Sequence, residues 1–454
     1  MTNSQDSYNI ALLTDLYQLT MNAAYLDNQK TDEIATFEMF IRTLPKDWGY
    51  FIAAGVNNAI DYACQLQFTE EEISYLNELE MFKPEYLDYL HHFRFEGDIH
   101  ALKEGTPFTA ETPIVRVEAK RPQAQLIETI ILNVVNFQTL IASKASRIVN
   151  AAGKASVIDF GLRRAHGMDA GIKGARASYL AGVSATSNVE AARIYGIPPS
   201  GTMAHSFVMG FRNEIMAFRA YANTFPDKSV FVIDTYDTLN GARTAAKVAK
   251  EMESMGYRLR GVRLDSGNMG SLSREIRGIL DSEGLSYVEI VLSSDLNEYK
   301  IEKFTLEGAP VDAYGVGTEM ITAKPIAALS GVYKLVEDNF GPRIKLSDGK
   351  RTYPGRKQVY RVEGNDGRFL YDILELEGEY VEGFPLLEQA VLSGKRIRED
   401  VSLKDMRDYC LDCVSRLPME AKKLRTTKPY QQRVGPKLLK LTEELTVKYS
   451  TEGE

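Results

Sequence analysis

The middle of the chain repeats one rhythm six times: a short β-rich run that ends in polar residues, followed by a longer stretch with helical spacing. "ASVIDF" (155–160) precedes a helix-like stretch through Arg193, and "TMAHSF" precedes "MGFRNEIMAFRAYAN". "SVFVIDTYD", "YRLRGVRLDSG" and "YVEIVLSSD" are each followed by one helical segment, and "VDAYGVGTE" completes the set. Six successive strand signals, mostly separated by single helices, predict parallel β/α architecture, as a barrel or as an open doubly wound sheet. The strand ends favour the barrel. Asp159, Phe160, His205, Asp234, Asp265, Ser294, Asp295, Gly317 and Thr318 all lie at or just past the end of a predicted strand. A closed barrel gathers such ends at one mouth, whereas an open sheet spreads them along an edge.

Both flanks read differently. Residues 8–28 have the spacing of an amphipathic helix, and "FEGDIHALKEGTPFTAETPIVRVEA" alternates like a small antiparallel sheet. Beyond Ala323, "GVYKLVEDN" and "KQVYRVEGNDGRFLYDILEL" are again β-rich, and a charged helical tail follows. The expected α/β fold is an irregular (β/α) barrel over 151–325, with a second, mostly β domain built from residues 1–150 and 326–454.

Charge narrows the function. With 54 basic and 62 acidic residues, a net charge of -8 and no long single-sign block, the chain is not built to bind nucleic acid through bulk charge. Cys64, Cys410 and Cys413 are too few for a disulfide framework in 454 residues, which fits a reducing cytoplasm. Cys410 and Cys413 form a lone C-x-x-C, expected on a half-exposed helical turn rather than at a zinc or redox site. The start, "MTNSQDSYNI", lacks the pattern of a signal peptide, and "LIETIILNVVNFQTLIA" is interrupted by Glu128, Asn133, Asn136 and Gln138. It is expected to be a buried helix, not a membrane span.

Several strand ends suit a phosphorylated sugar. "GVGTE" offers glycine backbone and the Thr318 hydroxyl, a loop type whose N–H groups can wrap a phosphate. "LSSDLNE" sets Ser294 and Asp295 where they can meet a ligand or cap the next helix. "VRLDSG" presents Arg263 and Asp265 on one side of a strand. They can pair with each other, or Arg263 can hold an anion while Asp265 holds ribose hydroxyls. In "DFGLRRAHG", Phe160 can stack on a planar ligand or join the core, and Arg163 can neutralise an anion or stay solvated. His205, in "SGTMAHSFVM", is one of five histidines and reads either as a structural residue or as the centre of the chemistry.

Together these stretches resemble the nicotinate phosphoribosyltransferase family. The resemblance is carried, in order, by "LLTDLYQLTM", "FIRTLPKDWGYFIAAG", "NFQTLIASKASR", "DFGLRRAHG", "SATSNVEAARIYGIPPSGTMAHSFV", "DTYDTLNGAR", "GVRLDSGN", "SSDLNE" and "GVGTEM", from residue 12 to about residue 320. It implies the barrel fold, a homodimer, and the reaction of nicotinate with 5-phosphoribosyl 1-diphosphate, coupled to ATP hydrolysis and supported by Mg²⁺. It implies His205 as the residue that ATP phosphorylates and Asp234 as the carboxylate that orients it. Tyr17, Phe160, Thr202 and Arg263 match positions around the pyridine carboxylate and ring. Arg163, Asp265, Ser294, Asp295, Gly317 and Thr318 match the region holding the phosphoribosyl group, and Arg42 resembles an arginine supplied by the second subunit. No metal ligand follows from the motifs. A nicotinamide phosphoribosyltransferase shares many of these elements, and a non-catalytic nucleotide-binding barrel would be expected to lose the His205 and Asp234 pair. The decarboxylating quinolinate enzyme is shorter and needs no phosphorylated histidine.

Overall fold

The computed structural model describes residues 11–347 and 352–451. The opening "MTNSQDSYNI" lies outside them, so the signal-peptide reading does too. By its internal contacts the chain divides into two compact units, one of residues 1–140 with 328–454 and the other of residues 141–327.

The second unit is built on a parallel sheet. Its strands are Ser156–Asp159, Ala185–Thr186, Val230–Val232, Gly261–Leu264, Glu289–Ser293 and Ala313–Val316. In space they run 185–186, 156–159, 313–316, 289–293, 261–264, 230–232, with every pairing parallel. Helices such as Thr238–Ser254 and Met269–Ser282 connect them. Strands covered on both faces need apolar residues at successive positions, not only at alternate ones. "VFV" (230–232) and "AYGV" (313–316) are accordingly buried throughout. Val230, Val291 and Ala313, with Ile158 against them, pack as one apolar cluster drawn from four strands. The ladder is a row with two ends: among the described residues no pairing joins Ala185–Thr186 to Val230–Val232. The fold is thus mixed α/β with one parallel sheet, and closure into a barrel is not part of its hydrogen bonding.

One expected strand is replaced. "TMAHSF" forms no strand; His205 begins the short helix His205–Met209, with Ala204 as its N-cap. The second strand is instead Ala185–Thr186 in "SATSN". Thr186 N donates to Pro198 O, Ser200 N donates to Thr186 O, and a single bridge joins Thr186 to Pro199. Pro198 and Pro199 carry no N–H, so the run before His205 cannot extend that contact into a ladder.

The first unit is mainly antiparallel. Its seven-stranded sheet sets N-terminal strands in the centre and C-terminal strands on both flanks: Ile34–Ile41 lies between Gly331–Asp338 and Val115–Lys120, while Asp98–Ala101 lies between Val115–Lys120 and Glu388–Leu392. A four-stranded sheet includes Lys357–Glu363 and Phe369–Leu376, where buried Arg361 pairs with Asp372 at 2.8 Å. The N-terminal helix is Leu16–Asp27, shorter than the expected 8–28 and burying Gln18, Leu19 and Asn22 while Leu16 and Tyr17 are exposed, and the helical tail comprises Leu403–Arg416 and Pro436–Thr451. Cys410 and Cys413 are free and buried in the former, not half-exposed. Burial pushes both thiols up, which keeps them protonated and inert.

The helix Glu128–Ala152 runs through the residue at which the two units divide. It belongs to an apolar helical run, Arg121–Ala152, whose most apolar window is 67% buried inside the protein. Its burial is that of a core helix, and of its polar interruptions Glu128 and Gln138 are buried, Asn136 is half-buried and Asn133 is exposed.

Candidate active site

The site is assembled in the unit of residues 141–327, from turns that follow five strands and from the loop before His205. After Ser156–Asp159 the chain turns sharply. Asp159 Oδ1 accepts from Gly161 N at 2.8 Å and Oδ2 accepts from Thr186 Oγ1 at 2.7 Å. These bonds oppose burial, which raises the Asp159 carboxyl from its ordinary value. The turn delivers Phe160, whose ring lies against Gly315: an added Cβ there would stand 2.5 Å from two ring carbons. A glycine on the neighbouring strand therefore makes room for the ring. Arg163 follows on the turn Leu162–Arg164 and is exposed.

After Val230–Val232 come Asp234 and Thr235. Asp234 is 1% exposed; its Oδ2 accepts from Asp265 N at 3.0 Å and Ser266 Oγ at 2.5 Å. Its Oδ1 is buried, accepts no hydrogen bond from the described residues, and lies 3.8 Å from His205 Nε2. Asp265 Oδ2 is 3.6 Å from the same nitrogen. The other ring nitrogen, Nδ1, is 3.1 Å from Thr235 Oγ1. His205 is thus held by a hydroxyl on one side and faces two carboxylates on the other.

Arg263, one residue before the end of the strand Gly261–Leu264, ties the pieces together. Nη1 donates to Thr202 Oγ1 and to Met203 O, and Nη2 is 3.8 Å from Asp265 Oδ2. Its Nε is buried with no acceptor among the described residues. Burial lowers the guanidinium from its ordinary value, Asp265 and Asp234 oppose that shift, and Arg163 adds to it. A buried donor without an acceptor is costly, and a bound anion would supply the acceptor. Asp265 Oδ1 also accepts from Ser293 Oγ, so the two strand ends are joined through one carboxylate.

Ser294 and Asp295 leave the strand Glu289–Ser293 with φ of 83° and 42°, a left-handed backbone uncommon outside glycine. Both side chains are exposed. Gly317 is the N-cap of the short helix Thr318–Ile321, with its own added Cβ 3.1 Å from Phe160 O. Thr202, His205, Asp234, Arg263 and Asp265 are linked by the contacts above, with Arg163 within electrostatic reach of Arg263, whereas Phe160 is placed against Gly315 on the neighbouring strand. Tyr17, on Leu16–Asp27, and Arg42, just past Ile34–Ile41, belong to the other compact unit. Tyr17 is 47% exposed, and desolvation followed by Glu128 raises its phenol.

Three contributors were not singled out by sequence reasoning. Thr235 and Ser266 adjoin Asp234 and Asp265 in the motifs "DTYD" and "LDSG", so adjacency was their only signal. Glu214, the first residue of the helix Glu214–Thr224, has a buried Oε1 without a partner and a carboxyl pushed up to about 7 by burial, Asp237 and Asp234.

Comparison with known proteins agrees with this geometry. The N-terminal domain model of nicotinate phosphoribosyltransferase matches residues 12–136, and the model of the nicotinate phosphoribosyltransferase family matches residues 155–336. A nicotinate phosphoribosyltransferase of Mycobacterium tuberculosis is 43% identical over 418 residues, covering 92% of this chain and 89% of that protein. The Bacillus subtilis nicotinate phosphoribosyltransferase is 42% identical over 398 residues, covering 86% and 79%. The crystal structure of human nicotinic acid phosphoribosyltransferase superposes with a TM-score of 0.85 at 28% identity, covering 95% of this chain and 99% of that one. The chain therefore belongs to the nicotinate phosphoribosyltransferase family, and the activity of that family, in the salvage of nicotinate towards NAD, is the activity of this enzyme.

Proposed function

We propose that the enzyme joins nicotinate to 5-phosphoribosyl 1-diphosphate, giving nicotinate mononucleotide and diphosphate, and that it couples this step to ATP through a transient phosphohistidine at His205. The observation that carries the reading is the His205 ring, with Nδ1 at the Thr235 hydroxyl and Nε2 facing Asp234 and Asp265. A proton on Nε2 is favoured by two carboxylates, which leaves the Nδ1 lone pair as the nucleophile towards the γ-phosphorus of ATP. The imidazolium character that develops as the P–N bond forms is stabilised by the same carboxylates. In this form Asp234 acts through charge at 3.8 Å rather than through a hydrogen bond.

The pyridine ring stacks on Phe160, and its carboxylate is met by Arg263 and Thr202; Tyr17 is assigned to the same substrate on the family resemblance. The unpartnered Nε of Arg263 favours an anionic carboxylate over the amide of nicotinamide, whose single neutral carbonyl oxygen is a weaker acceptor for a guanidinium. Nicotinate's ring nitrogen attacks C1 of the sugar as the bond to diphosphate breaks, and its lone pair needs no base. Asp265 holds ribose hydroxyls; Arg163, Ser294, Asp295, Gly317 and Thr318 hold the phosphoribosyl group. A homodimer, with Arg42 of the partner subunit reaching the sugar phosphate, and a cytoplasmic location complete the reading.

Among the described residues no cluster of three or more His, Cys, Asp or Glu side chains forms a metal cage. The two carboxylates at His205, Asp234 and Asp265, are a donor set that fits Mg²⁺ arriving on substrate phosphates, which keeps most of its oxygen ligands from phosphate and water and takes one or two carboxylates. Asp234 and Asp265 are the carboxylates suited to it, and the ion would supply neutralisation of the leaving diphosphate.

The test is mononucleotide formation with and without ATP, using nicotinate and nicotinamide in parallel. Nicotinate should be strongly preferred and ATP should raise turnover. His205→Ala should lose both the stimulation and the label from γ-labelled ATP. ATP hydrolysis at the parent rate by His205→Ala, with the other substrates present, would overturn the phosphohistidine.

A further inference from the structure

Lys144 lies in "NFQTLIASKASR" on the long helix Glu128–Ala152, and its side chain is only 2% exposed. Its Nζ donates to Glu298 Oε2 at 2.5 Å and to the backbone carbonyl of Lys324 at 2.8 Å. Glu298, 1% exposed, also accepts from Arg147 Nε at 3.3 Å, one turn along the same helix.

The two acceptors of Lys144 sit on different loops. Glu298 opens the helix Glu298–Leu306, directly after the turn that carries Ser294 and Asp295. Lys324 follows the segment that carries Gly317 and Thr318. Each loop holds non-glycine backbone in the left-handed region: φ is 83° at Ser294, 42° at Asp295 and 49° at Ala323. Such backbone persists only where its surroundings over-determine it. On the first loop, Lys300 Nζ donates to Asp295 O at 2.8 Å and Asn297 Oδ1 accepts from Lys300 N at 3.0 Å. Those contacts are local to one loop, whereas Lys144 is joined to both.

We propose that Lys144 is a positioning residue for the phosphoribosyl substrate, its buried ammonium fastening the Ser294–Asp295 loop and the Gly317–Thr318 loop at a fixed separation. This rests on the assignment of those two loops to the phosphoribosyl group. Stability alone would not need the arrangement, because an apolar pair of similar volume can replace a buried ion pair at little cost. An apolar side chain cannot, however, bind the Lys324 carbonyl and the Glu298 carboxylate together. Burial lowers the Lys144 amine from its ordinary value and Glu298 opposes that, as expected for a charge kept in place by its acceptors.

The experiment uses the full-length enzyme and measures KM for 5-phosphoribosyl 1-diphosphate and for nicotinate separately, alongside thermal unfolding. Lys144→Met should raise the first KM about tenfold and leave the second within about twofold, since loose loops misplace only the substrate they hold. Lys144→Arg, which keeps a donor fork at the same place, should recover to within about threefold of the parent. Where Lys144→Met does not fold, Glu298→Gln keeps a neutral acceptor and should shift the same KM by about threefold. Both KM values rising together, or a lowered unfolding midpoint with neither KM changed, would reduce Lys144 to a structural role. Ser294→Ala and Thr318→Val serve as controls on the underlying assignment. If they leave the phosphoribosyl KM unchanged, the loop assignment fails; if they raise it and Lys144→Met does not, only the positioning role fails.

Discussion

Replacing Asp234 by asparagine tests the electrostatic half of the mechanism. The substitution preserves shape, and the amide oxygen can still accept from Asp265 N, as Asp234 Oδ2 now does at 3.0 Å. What is lost is a full negative charge 3.8 Å from His205 Nε2. Coulomb's law at that distance gives about 4 kcal/mol for an effective dielectric near 20 and about 1 kcal/mol in bulk water. His205 is 36% exposed and Asp234 is 1% exposed, so the pair lies between these limits. Taking about 2 kcal/mol, phosphorylation of His205 should slow by about thirtyfold. It should not vanish, because the Asp265 carboxylate at 3.6 Å remains. The assay is rapid-quench incorporation of label from γ-labelled ATP at saturating ATP, with circular dichroism to verify the fold. Nicotinate KM should stay within about threefold, since Asp234 makes no contact assigned to the ring. Phosphorylation at near the parent rate would show that charge on Asp234 does not assist the histidine, and the proposed division of roles between its two ring nitrogens would fall.

Two further outcomes follow from neighbouring residues. Glu214, with its carboxyl pushed up from 4.5 to about 7, binds a proton in the folded state that the unfolded chain has already lost. Its contribution is therefore fully present below pH 4.5 and declines as pH rises towards 7; allowing for its partial exposure, Glu214→Gln should be more stable than the parent at pH 8 by about 1 kcal/mol, with the gap closing under acid in urea titrations. Gly315→Ala, whose new methyl would stand 2.5 Å from the Phe160 ring, should displace that ring and raise nicotinate KM by about tenfold with a smaller effect on the phosphoribosyl substrate, and steady-state kinetics with both substrates varied would reveal any other pattern.

How much of this could be read from the sequence depended on how local the physics is. "VFV", "GVRL" and "AYGV" are strands buried by their own composition, so the parallel rhythm was visible without any partner. "TMAHSFV" has similar local character, yet what decides its conformation lies in the two prolines before it and in the single bridge to Thr186. The true strand there, Ala185–Thr186, is too short for periodicity to register. Arg263 and Asp265 were legible as a facing pair from the period of two, and they stand 3.8 Å apart. The Thr235 contact with His205 was not, because a ring's hydrogen bonds depend on a loop whose course no local pattern specifies. Lys144 shows the same limit: a lysine in an apolar helix gains its meaning only from Glu298, a partner distant in the chain.

The long helix Glu128–Ala152 also determines where this protein can be dissected. The two family models stop at residue 136 and resume at residue 155, a gap that invites cutting between them. Yet the helix is continuous across the gap, and the parallel-sheet unit begins within it, at Ile141. A fragment started at residue 155 would shed Lys144 and Arg147 and leave the Glu298 carboxylate buried without either cation. It would also strip away Ile141, Ala145 and Ile148, all of them buried. Grafting, splitting or circularly permuting this enzyme should therefore treat the helix as an indivisible part and place new termini elsewhere, at exposed turns such as the one around Gly367.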